Sequence, residues 1–520
     1  MAQETRIFGP PGTGKTHLLS TQIVPDLVKK YGSDKVLLTS FTKTAAKELS
    51  TRIPDIDPMN INTVHAICYH ILNWPKMINS SKIVDEWNKT YPEYKLSVGI
   101  SGVSGVEFND YQLLMNRMIE ETAWPPHIKL FKERWCDFKE KTKTKDFIDL
   151  IVEASISSFG APNGVEAIVV DEAQDTSSLL MHLIRQWSLF VKELILVGDE
   201  DQCIHVFNGS NPSNMLEPPI PDNQKKFLTQ SYRIPKKVHT IAESIIKRVK
   251  VREEKHYQPK SDEGKIIYGS GNFQNPEWMI KQINAQPDKT HMIMASCSYM
   301  LKPTILELKG QSLAYSNPWN RSRIEWNITN SSGSELLKLF IDSGPDKPYW
   351  DTNQFISFAK HLKTGPEGLI RKQGKAGIKA LEEHLKKGTQ GLHTSREYLA
   401  DILSKDAIQP ALDRDLDWLM GNLTAVKKKM IEYPAKLYKQ KGPQTLLSDP
   451  NIFIVTIHSF KGAQAQNVYL FPDISWASAK ASSEDYSEYE NLCRLFYTGV
   501  TRTEETLYIF ESATKHYFSI

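Results

Sequence analysis

Hydrophobic residues in this chain gather in short runs that predict buried β-strands. The clearest runs are Ile7–Phe8, Lys35–Phe41, Ile168–Val170, Glu193–Asp199 and Thr290–Ser296. They alternate with segments of helical character, of which His17–Lys30 is the first. Apolar strands that alternate with helices are typical of parallel sheets covered on both faces. We therefore predict an α/β fold with doubly wound parallel sheets and a functional site at the carboxyl ends of the strands.

One of these strands runs directly into a cluster of polar residues. After Ile168–Val170 the chain continues Asp171-Glu172-Ala173-Gln174-Asp175, which is three carboxylates and an amide. Taken alone, this pattern fits a solvated turn as well as it fits a cation site. The remainder of the chain has to distinguish the two.

Length and composition set broad limits on the answer. A chain of 520 residues is too long for one core, and about two to four domains are expected. The net charge of +3 neither demands nor excludes a nucleic-acid partner. The five cysteines are scattered and form no CxxC pair, which argues against zinc sites and disulfides and fits a reducing cytosol. No secretory signal or bilayer-spanning apolar run is apparent, so we expect a cytoplasmic protein.

The strongest local pattern is a glycine-rich loop that follows Ile7–Phe8. It consists of Gly9, Pro10, Pro11, Gly12, Thr13, Gly14, Lys15 and Thr16, a full match to GxxxxGK[ST]. A strand before it and a helix after it are the context that this phosphate-binding motif requires. Backbone N–H groups and the helix dipole attract phosphate oxygens. Lys15 is expected to contact the β- and γ-phosphates of ATP, and the Thr16 hydroxyl to ligate Mg²⁺.

The phosphate loop gives the carboxylates after Val170 a function. Asp171 is expected to hold Mg²⁺, directly or through water. Glu172 is expected to orient or deprotonate the water that attacks the γ-phosphate. The two patterns together predict an enzyme that hydrolyses Mg-ATP.

The residues of the motifs resemble those of the superfamily 1 helicases, in particular the UvrD/Rep/PcrA type. Asp171–Asp175 is similar to motif II of that family. Other segments resemble motifs Ia, Ib, III, IV, V and VI, in the family's order: Phe41–Leu49, Asn62–Leu72, Val197–Gly209, Leu228–Val238, Val455–Phe471 and Leu495–Phe510. The resemblance implies two RecA-like P-loop domains, each with a mainly helical insertion, and 3′→5′ movement on single-stranded DNA.

The same resemblance assigns further residues to the nucleotide. Gln202 is implied to sense the γ-phosphate and to link it to the DNA site. Arg233 and Arg502 are implied to act as arginine fingers, whose guanidinium forks suit phosphate oxygens. Tyr232 is implied to stack on the adenine. Gln464 occupies a position that the family uses near the nucleotide sugar and phosphates.

Candidates for contact with DNA come from four motifs. Two aromatic side chains, Phe41 and Phe207, are expected to stack on bases. Four polar side chains are expected to contact phosphates, which positions a strand without reading its sequence. They are Thr63, His65, Thr456 and His458. A structural interpretation is open for several of them, because Phe41 ends a strand and can be a core residue, and the histidines can be packing residues.

The motif positions also predict the domain organisation. We expect residues 1–72 and 158–230 to form the first RecA-like core, 73–157 a helical insertion, 231–324 and 449–520 the second core, and 325–448 a lysine-rich insertion. Lysine-rich runs commonly form a solvated face. The alternative is a surface that contacts duplex DNA, since the family's second insertion lies near the junction of single and double strands.

Three departures from the family pattern are visible. Only eight residues precede Gly9, which leaves no room for the glutamine motif that reads adenine, and Gln3 lies too close to the loop to replace it. Gln464 stands where the family has a glutamate. His205 and Asn208 replace a tyrosine and an arginine of the bacterial repair proteins. These departures suggest a divergent, phage-like member.

The sequence therefore predicts an ATP-dependent single-stranded DNA translocase and helicase, with single-stranded DNA and strand junctions as partners. Two alternatives remain at this stage. One is a DNA-stimulated ATPase that switches a partner protein without unwinding, and the other is an RNA-directed motor, although no RNA-recognition module is visible.

Overall fold

The fold comes from a computed structural model of the chain. The structure describes residues 2–40, 43–53, 56–99, 102–156, 160–318, 326–328, 337–338, 352–360, 362, 376, 378–379, 382–383, 403–413, 415–423, 425–460 and 463–520.

The strands within these residues form two large parallel sheets and one hairpin. They are β1 Gln3–Phe8, β2 Val36–Ser40, β3 Ile61–Asn62, β4 Ser97–Gly99, β5 Gly102–Ser104, β6 Ala167–Asp171, β7 Glu193–Gly198, β8 Lys225–Phe227, β9 Lys265–Gly269, β10 His291–Ala295, β11 Ile452–Thr456, β12 Ala465–Leu470 and β13 Thr503–Phe510.

The helices cover both faces of the sheets and form the insertions. They are α1 Lys15–Leu18, α2 Val24–Tyr31, α3 Lys43–Arg52, α4 Val64–Ile71, α5 Ser81–Thr90, α6 Val106–Asn116, α7 Pro126–Thr142, α8 Phe147–Ile156, α9 Ser178–Ser188, α10 Lys236–Ile246, α11 Glu277–Asn284, α12 Lys302–Gly310, α13 Thr352–Ala359, α14 Lys405–Leu412, α15 Leu416–Gly421, α16 Ala425–Lys441, α17 Gln444–Leu447, α18 Trp476–Glu484 and α19 Tyr486–Val500. Within the described part of the chain, no helix is both long and apolar enough to cross a lipid bilayer.

The first sheet has the strand order β3-β2-β6-β7-β1-β8, and every pairing is parallel. Its central strands are buried on both faces, because successive side chains point to opposite sides and helices cover each side. Ile168 and Val170 pack into one core cluster, whereas Val169 packs into the other. A continuous apolar run is therefore what a strand in this position needs.

The second sheet has the order β11-β10-β12-β13-β9 and is also parallel throughout. Met292 and Met294 face one cluster, and Ile293 and Ala295 face the other. Two parallel sheets with helices on both faces confirm the predicted α/β fold of the RecA-like type.

The first insertion is a helical unit with an aromatic core. Helices α5, α6 and α7 pack around Trp87, Phe131 and Trp135, which are fully buried. The chain enters and leaves the unit side by side, because Met77 and Lys145 form a parallel bridge. The unit therefore joins the first core through two adjacent segments.

The second insertion is described only in part, since residues 363–375 and 384–402 lie outside the described residues. Its long helix α16 is attached to the second core, where Tyr433 Oη donates to Leu308 O and to Leu313 O at 3.1 Å each. The exact domain boundaries stay a prediction.

Candidate nucleotide and nucleic-acid sites

The glycine-rich segment after β1 forms a loop that is closed by its own backbone. Gly9 N–H donates to Gly198 O at 2.9 Å, which ties the loop to the end of β7. Lys15 Nζ donates to Gly9 O at 2.7 Å. Gly12 and Gly14 have φ values of 74° and 82°, a left-handed conformation that glycine adopts without strain. The loop thus holds the lysine ammonium inside the turn that follows β1.

The loop is also held by the segment that follows the first core. Ser231 Oγ donates to Pro11 O at 2.8 Å, and Tyr232 N–H donates to Gly12 O at 2.9 Å. A Cβ atom at Gly12 would lie 2.8 Å from Ser231 Oγ and 2.5 Å from Arg233 Cβ. The absence of a side chain at position 12 is therefore what allows the two segments to meet.

The remaining loop residues and the first carboxylate share one edge of the sheet. Thr13 Oγ1 donates to Pro10 O at 2.7 Å, and Thr16 is half-buried in the first turn of α1. Asp171 is buried at the end of β6. Because β6, β7 and β1 are parallel neighbours, their carboxyl ends meet at this edge. The loop and Asp171 therefore face the same space.

Glu172 follows Asp171 in a strained backbone conformation. Its φ of 52° lies in the left-handed region, which costs a non-glycine residue on the order of 1 kcal/mol. Glu172 N–H donates to Asp171 Oδ1 at 3.0 Å, and Gln174 Nε2 donates to the Glu172 carboxylate. Gln174 Oε1 in turn accepts from Asp199 N–H at 2.9 Å. These bonds fix the second carboxylate at the strand end.

Arg502 reaches this edge from the second core. It is fully buried, and its Nη2 donates to Gln202 Oε1 at 2.5 Å, while Gln202 Nε2 donates to Asp199 Oδ2 at 2.7 Å. Burial and the nearby Arg233 guanidinium lower the pKa of Arg502 to about 9, and the Glu172 carboxylate opposes the shift. A second guanidinium close enough to lower the pKa of Arg502 creates a local positive field suited to an anion.

Arg233 is held by an amide rather than by a carboxylate. Its Nε donates to Gln464 Oε1 at 2.6 Å, and Gln464 Nε2 donates to Glu504 Oε1 at 2.5 Å. Burial lowers the pKa of Arg233, against the fields of the Glu504 and Glu172 carboxylates. The neighbouring Tyr232 ring is 75% exposed and open to contact.

An aromatic pair joins the two cores at a second place, away from the glycine-rich loop. The Phe207 and His458 rings meet edge to face with centroids 5.4 Å apart, and His205 lies 5.8 Å from Phe207. Phe207 is 57% exposed. Burial lowers the pKa of His458 to about 4, so its imidazole is neutral at pH 7. Thr456 ends strand β11 directly before this contact.

A second aromatic contact lies at the start of α4. Thr63 caps this helix by accepting from Ala66 N–H at 3.3 Å, which is a structural role for its hydroxyl. The His65 and Phe147 rings meet edge to face at 5.6 Å, and burial lowers the pKa of His65 to about 4. Phe41, the other predicted stacking residue, lies outside the described residues.

Two family models match the chain where these sites lie. A model described as an AAA domain matches residues 1–208, and a UvrD-like helicase C-terminal domain matches residues 451–510. The first match contains the loop, Glu172 and Gln202, and the second contains His458 and Arg502.

Relatives extend the similarity along the chain. The protein named ATP-dependent DNA helicase PcrA from Staphylococcus epidermidis RP62A is 25% identical over 98% of this chain and 82% of its own length. PcrA from Staphylococcus aureus COL is 22% identical over the same shares. PcrA from Bacillus subtilis 168 is 26% identical over 50% of this chain and 40% of its own length. The chain belongs to the UvrD/PcrA-type superfamily 1 helicases.

For this helicase-family chain, the structure also reveals neighbours of the predicted residues that the sequence analysis missed. Glu504 contacts Gln464, and Phe147 contacts His65. Phe147 is the first residue of α8, a helix in which the sequence analysis predicted no site residue.

A buried ionic cluster was missed entirely. Lys255 Nζ lies 2.9 Å from Asp199 Oδ1, 2.5 Å from Glu200 Oε1 and 2.9 Å from Asp201 Oδ2. Arg252 contacts the same Asp201 carboxylate at 2.7 Å. The three acids follow β7 inside a recognisable motif, but Lys255 lies in a segment without one, so no local signal could have connected them.

Proposed function

We propose that this protein is a single-stranded DNA translocase and helicase that moves 3′→5′, driven by Mg-ATP hydrolysis between its two cores. The observation that carries the proposal is the hydrogen bond from Arg502 of the second core to Gln202 of the first. It joins a residue suited to the γ-phosphate to the segment that also bears Phe207. Nucleotide and DNA can therefore act on one another through a short stretch of chain.

The nucleotide chemistry follows from the loop and its neighbours. The Lys15 ammonium, which donates to a loop carbonyl, can exchange that contact for β- and γ-phosphate oxygens. Glu172 is held at the strand end, where its carboxylate can orient water and accept a proton. Arg233 and Arg502 add positive charge that stabilises the γ-phosphoryl group as it passes from ADP to water. Gln464 supports Arg233, and Tyr232 offers an exposed ring to the base.

The residues also fit a magnesium ion. Asp171 supplies one carboxylate and Thr16 a hydroxyl, and Mg²⁺ commonly takes few protein ligands together with phosphate oxygens. The described residues contain no group of three or more acidic, histidine or cysteine side chains that could enclose a metal alone, which agrees with a metal completed by substrate. Bound there, the ion supplies charge neutralisation for the phosphates.

The DNA contacts fit a strand bound without sequence preference. The exposed Phe207 ring, with His458 beside it, suits base stacking. Thr456 lies at the end of β11, and Thr63 and His65 lie at the start of α4. Both histidines have depressed pKa values, so they act as neutral hydrogen-bonding groups and not as cations. Single-stranded DNA that bridges the two cores favours the arrangement in which Arg502 meets Gln202.

One experiment tests the proposal directly. Duplexes with a 3′ or a 5′ single-stranded tail are incubated with the protein, with and without ATP, and strand displacement is measured. We expect ATP-dependent displacement of the 3′-tailed duplex only. Lys15→Ala is the inactive control, because the phosphates lose their cation, and Lys29→Ala on the exposed face of α2 is its matched control.

Other outcomes identify the alternatives. Displacement of only the 5′-tailed duplex overturns the polarity. The polarity rests on the resemblance of motifs V and VI to the 3′→5′ branch, since the opposite branch more often has a glutamine at the position of Lys461; Lys461 itself lies outside the described residues. DNA-stimulated hydrolysis without displacement supports an ATPase switch. Stronger stimulation by RNA than by DNA supports an RNA-directed motor.

A further inference from the structure

The turn after β7 carries three consecutive carboxylates that all face one buried lysine. Asp199, Glu200 and Asp201 are fully buried, and the Lys255 side chain is only 2% exposed. Its ammonium lies within 2.9 Å of an oxygen of each acid. Buried charges persist only where they are paired, so removal of this one cation leaves three acids with too few partners.

The rest of the cluster does not replace Lys255. Arg252 forms a fork on Asp201, with Nε at 3.0 Å and Nη2 at 2.7 Å, and thus serves the acid farthest along the turn. Arg494 donates to the backbone carbonyl of Glu200 at 3.2 Å and pairs with the Glu490 carboxylate at 3.8 Å. Of these three cations, Lys255 is the one that contacts Asp199.

The charge balance of the cluster is already short by one cation. Three carboxylates face Lys255 and Arg252, and burial raises the pKa of Glu200 to about 7, with Asp201 and Asp199 adding to the shift against Lys255. Burial therefore favours the protonated form of Glu200, and both Asp199 and Asp201 have partners on both of their carboxylate oxygens.

Asp199 connects this cluster to the hydrolytic residues. One of its oxygens meets Lys255 and the other accepts from Gln202 Nε2 at 2.7 Å. Gln202 Oε1 accepts from Arg502 at 2.5 Å. The amide orientation is forced at both ends, because a carboxylate only accepts and a guanidinium only donates. The Asp199 backbone also reaches Glu172 through Gln174.

We propose that Lys255 is a positioning residue for ATP hydrolysis, which holds the Asp199 carboxylate in place and thereby orients Gln202 toward Arg502. The inference rests on the proposed DNA-stimulated ATPase activity. It identifies a residue outside the nucleotide pocket that contributes to the stimulation of hydrolysis by DNA. Lys255 comes from the second core and Asp199 from the first, so the contact forms only when the cores meet. Loss of the ammonium frees the Gln202 amide without removing any group that contacts the nucleotide.

The test compares kcat for ATP with and without single-stranded DNA in Lys255→Met. We use the ratio of the two rates, because a loss of folded protein lowers both rates equally and cancels. The ratio should fall roughly 10- to 100-fold, the range typical when a residue that orients a functional ligand is removed. Lys255→Arg should recover part of it, since the cation returns with a different geometry. Lys225→Met is the matched control, because Lys225 pairs with Glu253 of the same segment and should leave the ratio unchanged.

A second variant separates positioning from stability. Lys255→Met combined with Glu200→Gln removes one positive and one negative charge, so the urea midpoint should recover toward the wild-type value. The stimulation ratio should stay low, because Asp199 still lacks its ammonium. A ratio that recovers together with the midpoint overturns the inference, as does a Lys255→Met ratio within about twofold of wild type. A wild-type ratio near one overturns the proposed function as well.

Discussion

Two groups of residues at the meeting of the two cores differ in chemistry. The nucleotide side consists of Lys15, Glu172, Gln202 and Arg502, and the aromatic side consists of Phe207 and His458. On the nucleotide side, buried and half-buried polar groups hydrogen-bond to each other at 2.5 to 3.0 Å, and the Gln202 amide is oriented by a partner at each end. On the aromatic side, two rings touch edge to face and one stays mostly exposed.

This difference in chemistry indicates which kind of ligand each side can recognise. Charge that develops on a transferring phosphoryl group is stabilised best by dipoles and charges fixed in advance and shielded from water. A strand of arbitrary sequence is held best by exposed ring faces, because every base offers a π-surface. We therefore expect changes on the nucleotide side to affect rate and changes on the aromatic side to affect affinity.

The largest expected effect is on the nucleotide side. Glu172→Gln should lower DNA-stimulated kcat by roughly 10²- to 10⁴-fold, because the amide cannot accept the proton of the attacking water. The variant should still bind ATP, since Asp171 and Lys15 remain. Steady-state hydrolysis and a nucleotide-binding titration measure the two quantities. Glu166→Gln, at the far end of β6, is the control, and near-normal turnover in Glu172→Gln would refute the assigned role.

The next largest effect is on the binding of single-stranded DNA by the aromatic side. Phe207→Ala should weaken binding of single-stranded DNA by roughly 5- to 150-fold, which corresponds to about 1–3 kcal/mol for one stacking ring. Fluorescence anisotropy with a labelled oligonucleotide at fixed salt measures it. Phe190→Ala removes a comparably exposed ring elsewhere on the first core, 63% against 57% for Phe207, and should bind as wild type. Equal losses in both variants would mean that the Phe207 ring has no special contact with the strand.

A smaller effect concerns the base of the nucleotide. Tyr232 offers an exposed ring, and a ring that stacks on a base does so whatever the base, so we expect weak discrimination among nucleotides. GTP and the other triphosphates should then support hydrolysis within about tenfold of ATP in kcat/KM, a gap of ~1.4 kcal/mol. Rates for all four nucleotides at saturating DNA decide it. A preference for ATP above roughly a hundredfold would reveal a polar group that reads adenine, for which Gln22 is the first candidate.

The smallest effect concerns stability and pH. The folded protein raises the pKa of Glu200 from its usual 4.5 to about 7, mainly through burial. Between these values the native state binds more protons at this group than the unfolded state, so its contribution to stability falls as the pH rises. Glu200→Gln should therefore gain unfolding free energy relative to wild type from pH 4.5 to pH 7. Urea titrations at both ends of this window test the slope, with exposed Glu254→Gln as the control; parallel curves would contradict it.

Much of the architecture was predictable because it depends on local patterns. Apolar runs such as Ile168–Val170 predict buried parallel strands, and the structure places both faces of that strand in core clusters. The α/β fold and the family are confirmed, since ordered motifs persist at low overall identity. The roles of the site residues stay predictions, and Phe41 lies outside the described residues.

Other features were not accessible from local patterns. Gln464 was noted as a departure from the family, but its two partners, Arg233 and Glu504, lie far away in the chain. Thr63 was predicted to contact DNA, and the structure gives its hydroxyl a helix-capping bond, a role that the start of any helix can require.

By itself, the sequence determined which chemical groups this protein carries at the ends of its strands, because loop conformation, strand burial and helix starts depend on neighbouring residues. The tertiary structure alone decided which of those groups meet across the two cores. Lys255 and Asp199 are separated by 56 positions, and Arg502 and Gln202 by 300. Such pairs form only when both sheets have folded and packed, since a buried charge selects its partner by proximity in space and not by spacing along the chain.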